Sequence, residues 1–311
     1  MTNMKRMNST HVSYFKLAAY VDIGLFKYLV FVSLLCLYVL IIVSNLLLIV
    51  VICMNRSLHE PMYLFLCSLF VNELYGATGL FPLLLIQVLS NVHVVYFPFC
   101  FLQIYCLYSY VCVGYLNLTA MSYDRYHAIC HPLQYNTHMT TKRVAALVAL
   151  TWLFPLLTIV VLISLTLRLH LCGNIIHKVY CDNFSVVKLS CSDTRINNIY
   201  GLLYTLVSIG IPLVLILVTY VKIFKVCFSG SKQTRQKALS TCSPHLASLI
   251  NFSFGVCFEV LQSRFDMSNV PNILRVFLSS YFLTCQPLFN PLMYGLKLSK
   301  IRNIYLRHNS R

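Results

Sequence analysis

The stretch from Tyr28 to Cys53 reads YLVFVSLLCLYVLIIVSNLLLIVVIC and decides what kind of protein this is. It contains no charged residue, and the nearest ones on either side are Lys27 and Arg56. A helix needs about 20 mostly apolar residues to cross about 30 Å of hydrocarbon. A membrane-spanning barrel would instead need short strands of alternating polarity, which this run lacks. The stretch therefore predicts a transmembrane helix.

Six further apolar runs follow along the chain. Each predicts another helix, because only helices and closed barrels satisfy the backbone within lipid. The fold class predicted is an all-α membrane protein, a seven-transmembrane helix bundle in which residues 1–311 form a single domain. The predicted helices lie approximately at residues 27–54, 61–89, 98–130, 142–166, 197–227, 236–262 and 272–296.

Two segments flank the predicted bundle. Residues 1–26 form an extracellular N-terminal segment, and residues 297–311 form a cytoplasmic tail. Basic and apolar residues alternate in the tail. That pattern favours a short amphipathic helix on the membrane surface, with a frayed basic tail as the alternative.

The composition excludes an ordinary soluble protein. Hydrophobic residues make up 59% of the chain and charged residues 10%, whereas soluble domains have about 45–50% and about 25%. The formal net charge of +16 raises the question of nucleic-acid binding. The charges, however, lie in short clusters between long uncharged runs. We therefore expect loops held at anionic membrane lipids and no nucleic-acid partner.

The basic residues also predict the orientation in the membrane. The loops after the first, third and fifth runs, and the tail, hold most of the clustered lysine and arginine. By the positive-inside rule these segments are cytoplasmic, and the N-terminus is extracellular. Two glycosylation sequons agree with this orientation, the better placed one at Asn8 and a second, accessible one at Asn183.

Four of the 14 cysteines fall in predicted extracellular segments. They are Cys100, Cys172, Cys181 and Cys191. The extracellular compartment is oxidising, so an even number of cysteines there indicates two disulfides. Spacing alone leaves all three pairings open.

Polar residues inside membrane spans are costly and indicate function. Glu73 lies in the middle of the second run, and Asn45 and Asn290 lie at comparable depth in the first and seventh. A bundle can bring the three together as a polar switch or ion site. The alternative is a buried, neutral and hydrogen-bonded carboxylic acid.

Two motifs at the inner ends of spans favour the switch. Residues 121–130 read MSYDRYHAIC, in which Asp124 and Arg125 can form a local ion pair that a partner protein breaks. Residues 290–294 read NPLMY, and Pro291 kinks the seventh helix because it lacks a backbone N–H. A kink is a natural pivot for rigid-body motion of a helix.

These motifs belong to a set of four that spans nearly the whole chain. The segments are LHEPMYLFL at 58–66, MSYDRYHAICHPLQY at 121–135, KALSTCSPHL at 237–246 and PLFNPLMY at 287–294. In this order and in these loops they resemble the odorant receptors, a family of rhodopsin-like G-protein-coupled receptors. The resemblance implies an odorant ligand, a plasma-membrane location and coupling to a stimulatory, olfactory-type heterotrimeric G protein that raises cyclic AMP.

The resemblance also implies roles for single residues. Arg125 is expected to swing toward Tyr220 and Tyr294 when the sixth helix moves outward, opening a cavity for the G protein that Lys237, His245 and the Pro132 loop border. The implied disulfides are Cys100–Cys181 and Cys172–Cys191. The switch residues are Asn45, Glu73, Asp124, Arg125, Tyr126, Tyr220, His245, Asn290, Pro291 and Tyr294.

The sequence departs from the family pattern at three places. Glu73 stands where many relatives have Asp, and Gly114 where many have Glu, which argues against an ion site of paired acids. Ser253-Phe254 replaces a Tyr-Gly neighbourhood in the sixth run, so the aromatic toggle there is expected to be shifted or altered.

Ligand pockets of helix bundles lie between helices, here in the outer half between runs three, five, six and seven. Helical spacing selects Tyr108, Val111 and Cys112 on one face of run three. The full set of predicted ligand residues is Tyr108, Val111, Cys112, Tyr204, Ser208, Val256, Glu259, Val260 and Leu283. For the apolar and aromatic members, plain helix packing is the alternative.

Glu259 is the sharpest candidate, because a lone acid in the outer part of run six can pair with a cationic or polar ligand. The alternative is an interfacial acid paired with Arg264 or Arg275.

Three other functions are the alternatives to an odorant receptor. A non-olfactory receptor of the same class lacks the extended inner-loop motifs. A transporter or channel predicts charged pore rings or duplicated halves, which are not visible. An enzyme is not expected, since no metal-ligand pair or Gly-rich phosphate loop is present. No cofactor and no metal are expected either.

Overall fold

The computed structural model describes residues 13–21, 23–230, 232–264, 270 and 272–297. The predicted amphipathic helix of the tail and the sequon at Asn8 lie outside these residues.

Helices make up most of the described chain. They are α1 (Phe26–Met54), α2 (Pro61–Leu89), α3 (Phe97–Cys130), α4 (Tyr135–His138), α5 (Thr141–Leu167), α6 (Asn183–Lys188), α7 (Arg195–Thr205), α8 (Ile211–Ser229), α9 (Lys232–Arg264) and α10 (Asn272–Lys297). A π-helical segment, Leu206–Gly210, joins α7 to α8 into one span. Short 3-10 helices cover Arg56–Leu58 and Pro132–Gln134.

Seven of these helical segments have the length of a membrane span. Six of them (α1, α2, α3, α5, α7 with α8, and α9) are long and apolar enough to cross a membrane. The seventh, α10, has 26 residues, which at about 1.5 Å per residue reach about 39 Å. The predicted all-α, seven-helix architecture is thereby confirmed.

The third span, α3, lies at the centre of the bundle. In its apolar stretch 61% of the residues are buried, against 22% in that of α1. The outward face of α1 carries exposed large apolar side chains such as Leu29, Val32 and Val39. Such a surface suits hydrocarbon and not water. Helix α3 is therefore well placed to position polar groups inside the bundle.

A small sheet that the sequence did not predict covers one end of the bundle. Strand β1 (Tyr14–Leu17) lies in its middle, antiparallel to β2 (Val94–Tyr96) and parallel to β3 (Ile175–Ile176). Strands of two to four residues are too short to show the alternation that would have indicated them. We call the end with the sheet the outer end of the bundle, and the opposite end the inner end.

Two disulfides pin the long loop between α5 and α7 at the outer end. One joins Cys100, in the first turn of α3, to Cys181 in the loop, with the Cα atoms 5.4 Å apart. The other joins Cys172 to Cys191 within the loop. Of the three pairings that spacing left open, this is the one the family resemblance implies. The first bridge holds the neighbours of Cys181 over the centre of the bundle.

Candidate functional site

A cavity of about 130 Å³ lies in the outer half of the bundle, between α3, the fifth span, α9 and the long loop. Helical spacing brings the third-span residues in its wall to one face of α3. Whether the residues of the wall bind a ligand is not tested by the structure, and their role stays a prediction. The predicted ligand residues found in the wall are Tyr108, Val111, Tyr204, Ser208, Val256, Glu259 and Val260.

Two predicted ligand residues do not line this cavity. Cys112 is buried against the side chains of Tyr204 and Ser208, which take the wall positions instead. Leu283 is 1% exposed and packs into the apolar core of the bundle. The prediction for Leu283 is therefore wrong, and among the described residues none from α10 lines the cavity.

The long loop contributes a wall that sequence reasoning missed. Tyr180, Asp182 and Phe184 all line the cavity. They flank Cys181, whose disulfide to Cys100 carries them over α3. The bridge implied by the family resemblance could have indicated them, since residues beside a cysteine tied to the third span lie near the cavity opening.

An ion triad stands at the cavity wall. The Lys178 ammonium pairs with the carboxylates of Glu259 and Asp182, and its Nζ lies 3.1 Å from Asp182 Oδ2. Arg264 is not the partner of Glu259, because its guanidinium lies over the Phe184 ring, 4.1 Å from the centroid. That part of the interfacial-pair alternative is wrong; the Arg275 side chain lies outside the described side chains. The acid of the sixth span is thus paired with a lysine of the loop.

Charge pairing sets the ionisation of the loop members of this triad. Burial by itself would raise the pKa of Asp182, but Lys178 and the hydrogen bonds from Ser185 outweigh it and lower that pKa. Burial would lower the pKa of Lys178, but the charges of Asp182 and Glu259 raise it above its usual value. Both loop residues are therefore charged at neutral pH.

A second polar cluster lies deeper, around Glu73. Its Oε1 accepts a hydrogen bond from Asn290 Nδ2 at 2.6 Å, and its Oε2 accepts one from the Tyr110 hydroxyl at 2.9 Å. Asn290 in turn accepts from Ser248 Oγ at 2.6 Å. The cluster thus links α2, α3, α9 and α10. The sequence predicted that Glu73 and Asn290 lie close together, and in the structure they form a direct hydrogen bond.

Asn45, the third predicted member, lies one helical turn from that cluster. Its Nδ2 donates to the Pro287 carbonyl oxygen at 2.8 Å. Pro291, four residues on, has no N–H to offer this carbonyl, so the helix itself cannot satisfy it. Asn45 supplies the missing donor, so the helix accommodates Pro291 in an apolar environment.

At the inner end of α3 the Asp124–Arg125 ion pair is closed. Arg125 Nη2 lies 2.7 Å from Asp124 Oδ2, and the Tyr135 hydroxyl donates to Asp124 Oδ1 at 2.6 Å. Asp124 is completely buried. Nearby, the Lys222 ammonium lies over the Tyr126 ring, 5.5 Å from its centroid. The short helix α4, which carries Tyr135, thus holds the acid from the loop side.

His245 connects three helices close to this pair. Its Nδ1 and the Tyr220 hydroxyl are 2.6 Å apart, and its Nε2 lies 2.9 Å from the Leu118 carbonyl oxygen. Both Tyr220 and Tyr294 are buried, and Tyr294 packs edge-on against Phe70. In this conformation the hydroxyl of Tyr220 is engaged with His245, while the guanidinium of Arg125 is engaged with Asp124.

The chain is similar to known proteins along most of its length. The sequence profile of a family described as Olfactory receptor matches residues 34–310. Human Olfactory receptor 52D1 is 32% identical over 259 residues, which cover 82% of this chain and 81% of that protein. Human Olfactory receptor 52B6 is 34% identical over 246 residues, with coverages of 78% and 73%. Human Olfactory receptor 2A12 is 34% identical over 261 residues, or 82% of each chain.

This chain belongs to the olfactory receptor family. It is accordingly a multi-pass membrane receptor and not an enzyme. The four motifs and the seven-helix architecture agree with that membership, and the family is the one that the sequence motifs resembled.

The aromatic side chain at the centre of α9 in this olfactory receptor is Phe252. It is 1% exposed and its ring lies 4.9 Å from that of Tyr115 and 5.9 Å from that of Tyr110. Phe254, in the position considered from the sequence, is 57% exposed on the outside of the bundle. Phe252, and not Phe254, is therefore the aromatic side chain of this segment that faces the core. That the aromatic toggle is shifted or altered stays a prediction.

The receptor's second sequon, at Asn183, is not accessible, so that prediction was wrong. Asn183 is 6% exposed and its Oδ1 accepts a hydrogen bond from Thr166 Oγ1 at 2.8 Å. The residue opens α6 behind the Asp182 cap, which turns its amide inward against α5. A glycan does not fit at this position in the folded receptor.

Proposed function

We propose that this olfactory receptor binds a small odorant in the outer cavity and activates a stimulatory, olfactory-type heterotrimeric G protein at its inner end, so that cyclic AMP rises. The cavity wall is mostly apolar with a few converging polar groups, which is the usual make-up of a small-molecule site.

The observation that carries the proposal is that one buried helix reaches both sites. Tyr108 of α3 lines the cavity, and Asp124 and Arg125 of the same helix form the inner ion pair. At about 1.5 Å per residue, Tyr108 and Asp124 are separated by about 24 Å along the helix axis. A ligand that shifts the packing around α3 at one end can therefore act on the ion pair at the other.

The inner contacts support a specific switching step. Outward movement of α9 would separate His245 from the Leu118 carbonyl and release the Tyr220 hydroxyl. Arg125 would then leave Asp124 and contact Tyr220 and Tyr294, opening a groove for a helix of the G protein. The closed ion pair and the bound His245 correspond to the resting state in this scheme.

The orientation proposed for the receptor has its outer end outside the cell. The N-terminal strand β1 pairs with β2 and β3 at the same end as both disulfides, and disulfides form in oxidising compartments. The basic residues Arg56, Lys142 and Lys222 lie toward the opposite end, as the positive-inside rule requires of a cytoplasmic face.

The experiment is a cyclic AMP assay of surface-expressed receptor against chemically grouped odorants. Arg125→Ala serves as the signalling-dead variant, with surface expression measured in parallel by an epitope tag. We expect wild type to respond to a subset of odorants and Arg125→Ala to respond to none. An Arg125→Ala receptor that signals as strongly as wild type would contradict the proposed switch.

A further inference from the structure

The ion triad at the cavity wall is unequally satisfied. Asp182 accepts hydrogen bonds from the backbone N–H groups of Phe184 and Ser185, from Ser185 Oγ at 2.5 Å and from the Tyr108 hydroxyl at 3.1 Å. It also pairs with Lys178. Asp182 therefore keeps a full set of donors whether or not Lys178 also serves another acid.

Glu259 is in the opposite position. Its Oε1 is paired with Lys178, and the Tyr180 hydroxyl lies beside the carboxylate. Its Oε2 is buried and has no hydrogen-bond partner of normal geometry among the described residues. A buried carboxylate oxygen without a donor is unfavourable. Glu259 lines the cavity, so a ligand placed there can supply the donor.

The local charge also favours a cation. Two carboxylates, Asp182 and Glu259, share the single ammonium of Lys178, which itself is 7% exposed. The other cation of the wall, Arg264, is exposed and stacked on Phe184 at the rim, where water screens its charge. The interior of the wall thus carries one more negative charge than positive charge.

Resting on the proposed odorant function, we infer that the cavity selects small apolar amines, whose ammonium donates to Glu259 Oε2 and replaces Lys178 as the charged partner of this carboxylate. Lys178 then remains with Asp182. The apolar body of the ligand packs against Val111, Val256 and Val260. An alcohol supplies one donor but no charge, and a carboxylate is repelled by Glu259, so the expected order of potency is amine, then alcohol, then acid.

The test uses three probes with the same alkyl chain: hexylamine, hexanol and hexanoic acid. Dose–response curves for cyclic AMP are measured for wild type, Glu259→Gln and Lys178→Gln, together with surface expression. Asp193→Asn is the matched control. It also removes one acid at the outer end, but the Asp193 side chain is 72% exposed to solvent.

Glu259→Gln should lower the potency of hexylamine by about tenfold or more, which is the effect of losing a hydrogen bond to a charged group. The potency of hexanol should change much less. Lys178→Gln should instead strengthen hexylamine, because the competing ammonium is gone. Asp193→Asn should change neither. A merely structural role of the triad predicts that Glu259→Gln and Lys178→Gln weaken all three probes alike, and that result would overturn the inference.

Two further outcomes separate this inference from the proposed function. If hexanoic acid is the most potent probe, the polar end of the ligand is bound by Arg264 and not by Glu259. In that case the inference is wrong, while the proposed odorant function stands. If surface-expressed receptor answers no odorant of any class, the proposed function itself fails and the inference fails with it.

Discussion

Gly114 of α3 lies directly beneath the ring of Phe252 of α9. A Cβ atom at position 114 would stand 2.9 Å from the ring, closer than carbon atoms pack. The sequence showed Gly114 only as a departure from the family pattern. The structure gives it a physical reason, because the missing side chain lets the central aromatic of α9 rest against the central helix.

Gly114→Ala should therefore raise basal cyclic AMP. The added methyl group pushes Phe252 and α9 away from α3, and overpacking of this kind costs about 1–3 kcal/mol in the closed state. Gly201→Ala is the matched control, since nothing lies within 4 Å of a Cβ there. Basal signalling normalised to surface expression is the measurement, and equal basal activity in both variants would refute the proposed role of this contact.

Tyr135→Phe should also raise basal activity. The variant keeps the ring but removes the hydroxyl that donates to Asp124 Oδ1 at 2.6 Å. A hydrogen bond to a charged group contributes about 1.5–3 kcal/mol, so an increase of about tenfold or more is expected. The same chemical change in Tyr96→Phe, at a residue 61% exposed at the outer end, should have no effect. Unchanged basal cyclic AMP in Tyr135→Phe would show that α4 does not hold the ion pair.

Glu73→Leu and Glu73→Gln should differ in thermal stability. The leucine variant leaves the buried donors of Asn290 and Tyr110 without an acceptor, at about 1–3 kcal/mol for each. The glutamine variant keeps the shape and one acceptor oxygen. Melting of purified receptor in detergent should therefore show a large loss for leucine and a smaller one for glutamine. Equal losses in the two variants would mean that the volume of the side chain matters and its hydrogen bonds do not.

The two disulfides should differ in their effect on ligand response. Replacing Cys100 and Cys181 by serine frees the loop residues that line the cavity, and loss of a native disulfide typically costs about 2–5 kcal/mol. Replacing Cys172 and Cys191 leaves the anchor to α3 in place. We expect the first pair of substitutions to abolish the agonist response and the second to reduce it. A normal response without the Cys100–Cys181 bridge would argue against the loop as a cavity wall.

The stabilising effect of Asp182 should disappear in acid. The pKa of Asp182 is lowered from its usual 3.8 in the folded receptor. Its contribution to stability is therefore fully present above pH 3.8, the pKa of the unfolded state, and is lost as the pH falls through the lower pKa of the folded state. Asp182→Asn should therefore melt below wild type by a constant margin from about pH 5 to about pH 8, and the margin should shrink at lower pH. A margin that grows on acidification would show the opposite sign of shift.

Much of this receptor is determined by its sequence locally. Lipid requires uninterrupted apolar runs of a fixed length, so stretches such as residues 28–53 identify the spans without knowledge of their neighbours. Helical spacing likewise places Tyr108 and Val111 on one face, and the adjacency of Asp124 and Arg125 permits their ion pair.

The tertiary structure alone decided which groups meet across distant parts of the chain. Lys178 reaches Glu259 over 81 residues, Asn45 reaches Pro287 over 242, and Phe252 rather than Phe254 faces the core. Such pairings depend on how helices rotate and pack against each other, which periodicity leaves undetermined. The path of the long loop depends on the disulfide at Cys181. Its one strand, β3, has two residues and is defined by backbone hydrogen bonds to the N-terminal segment, so side-chain alternation could not reveal it.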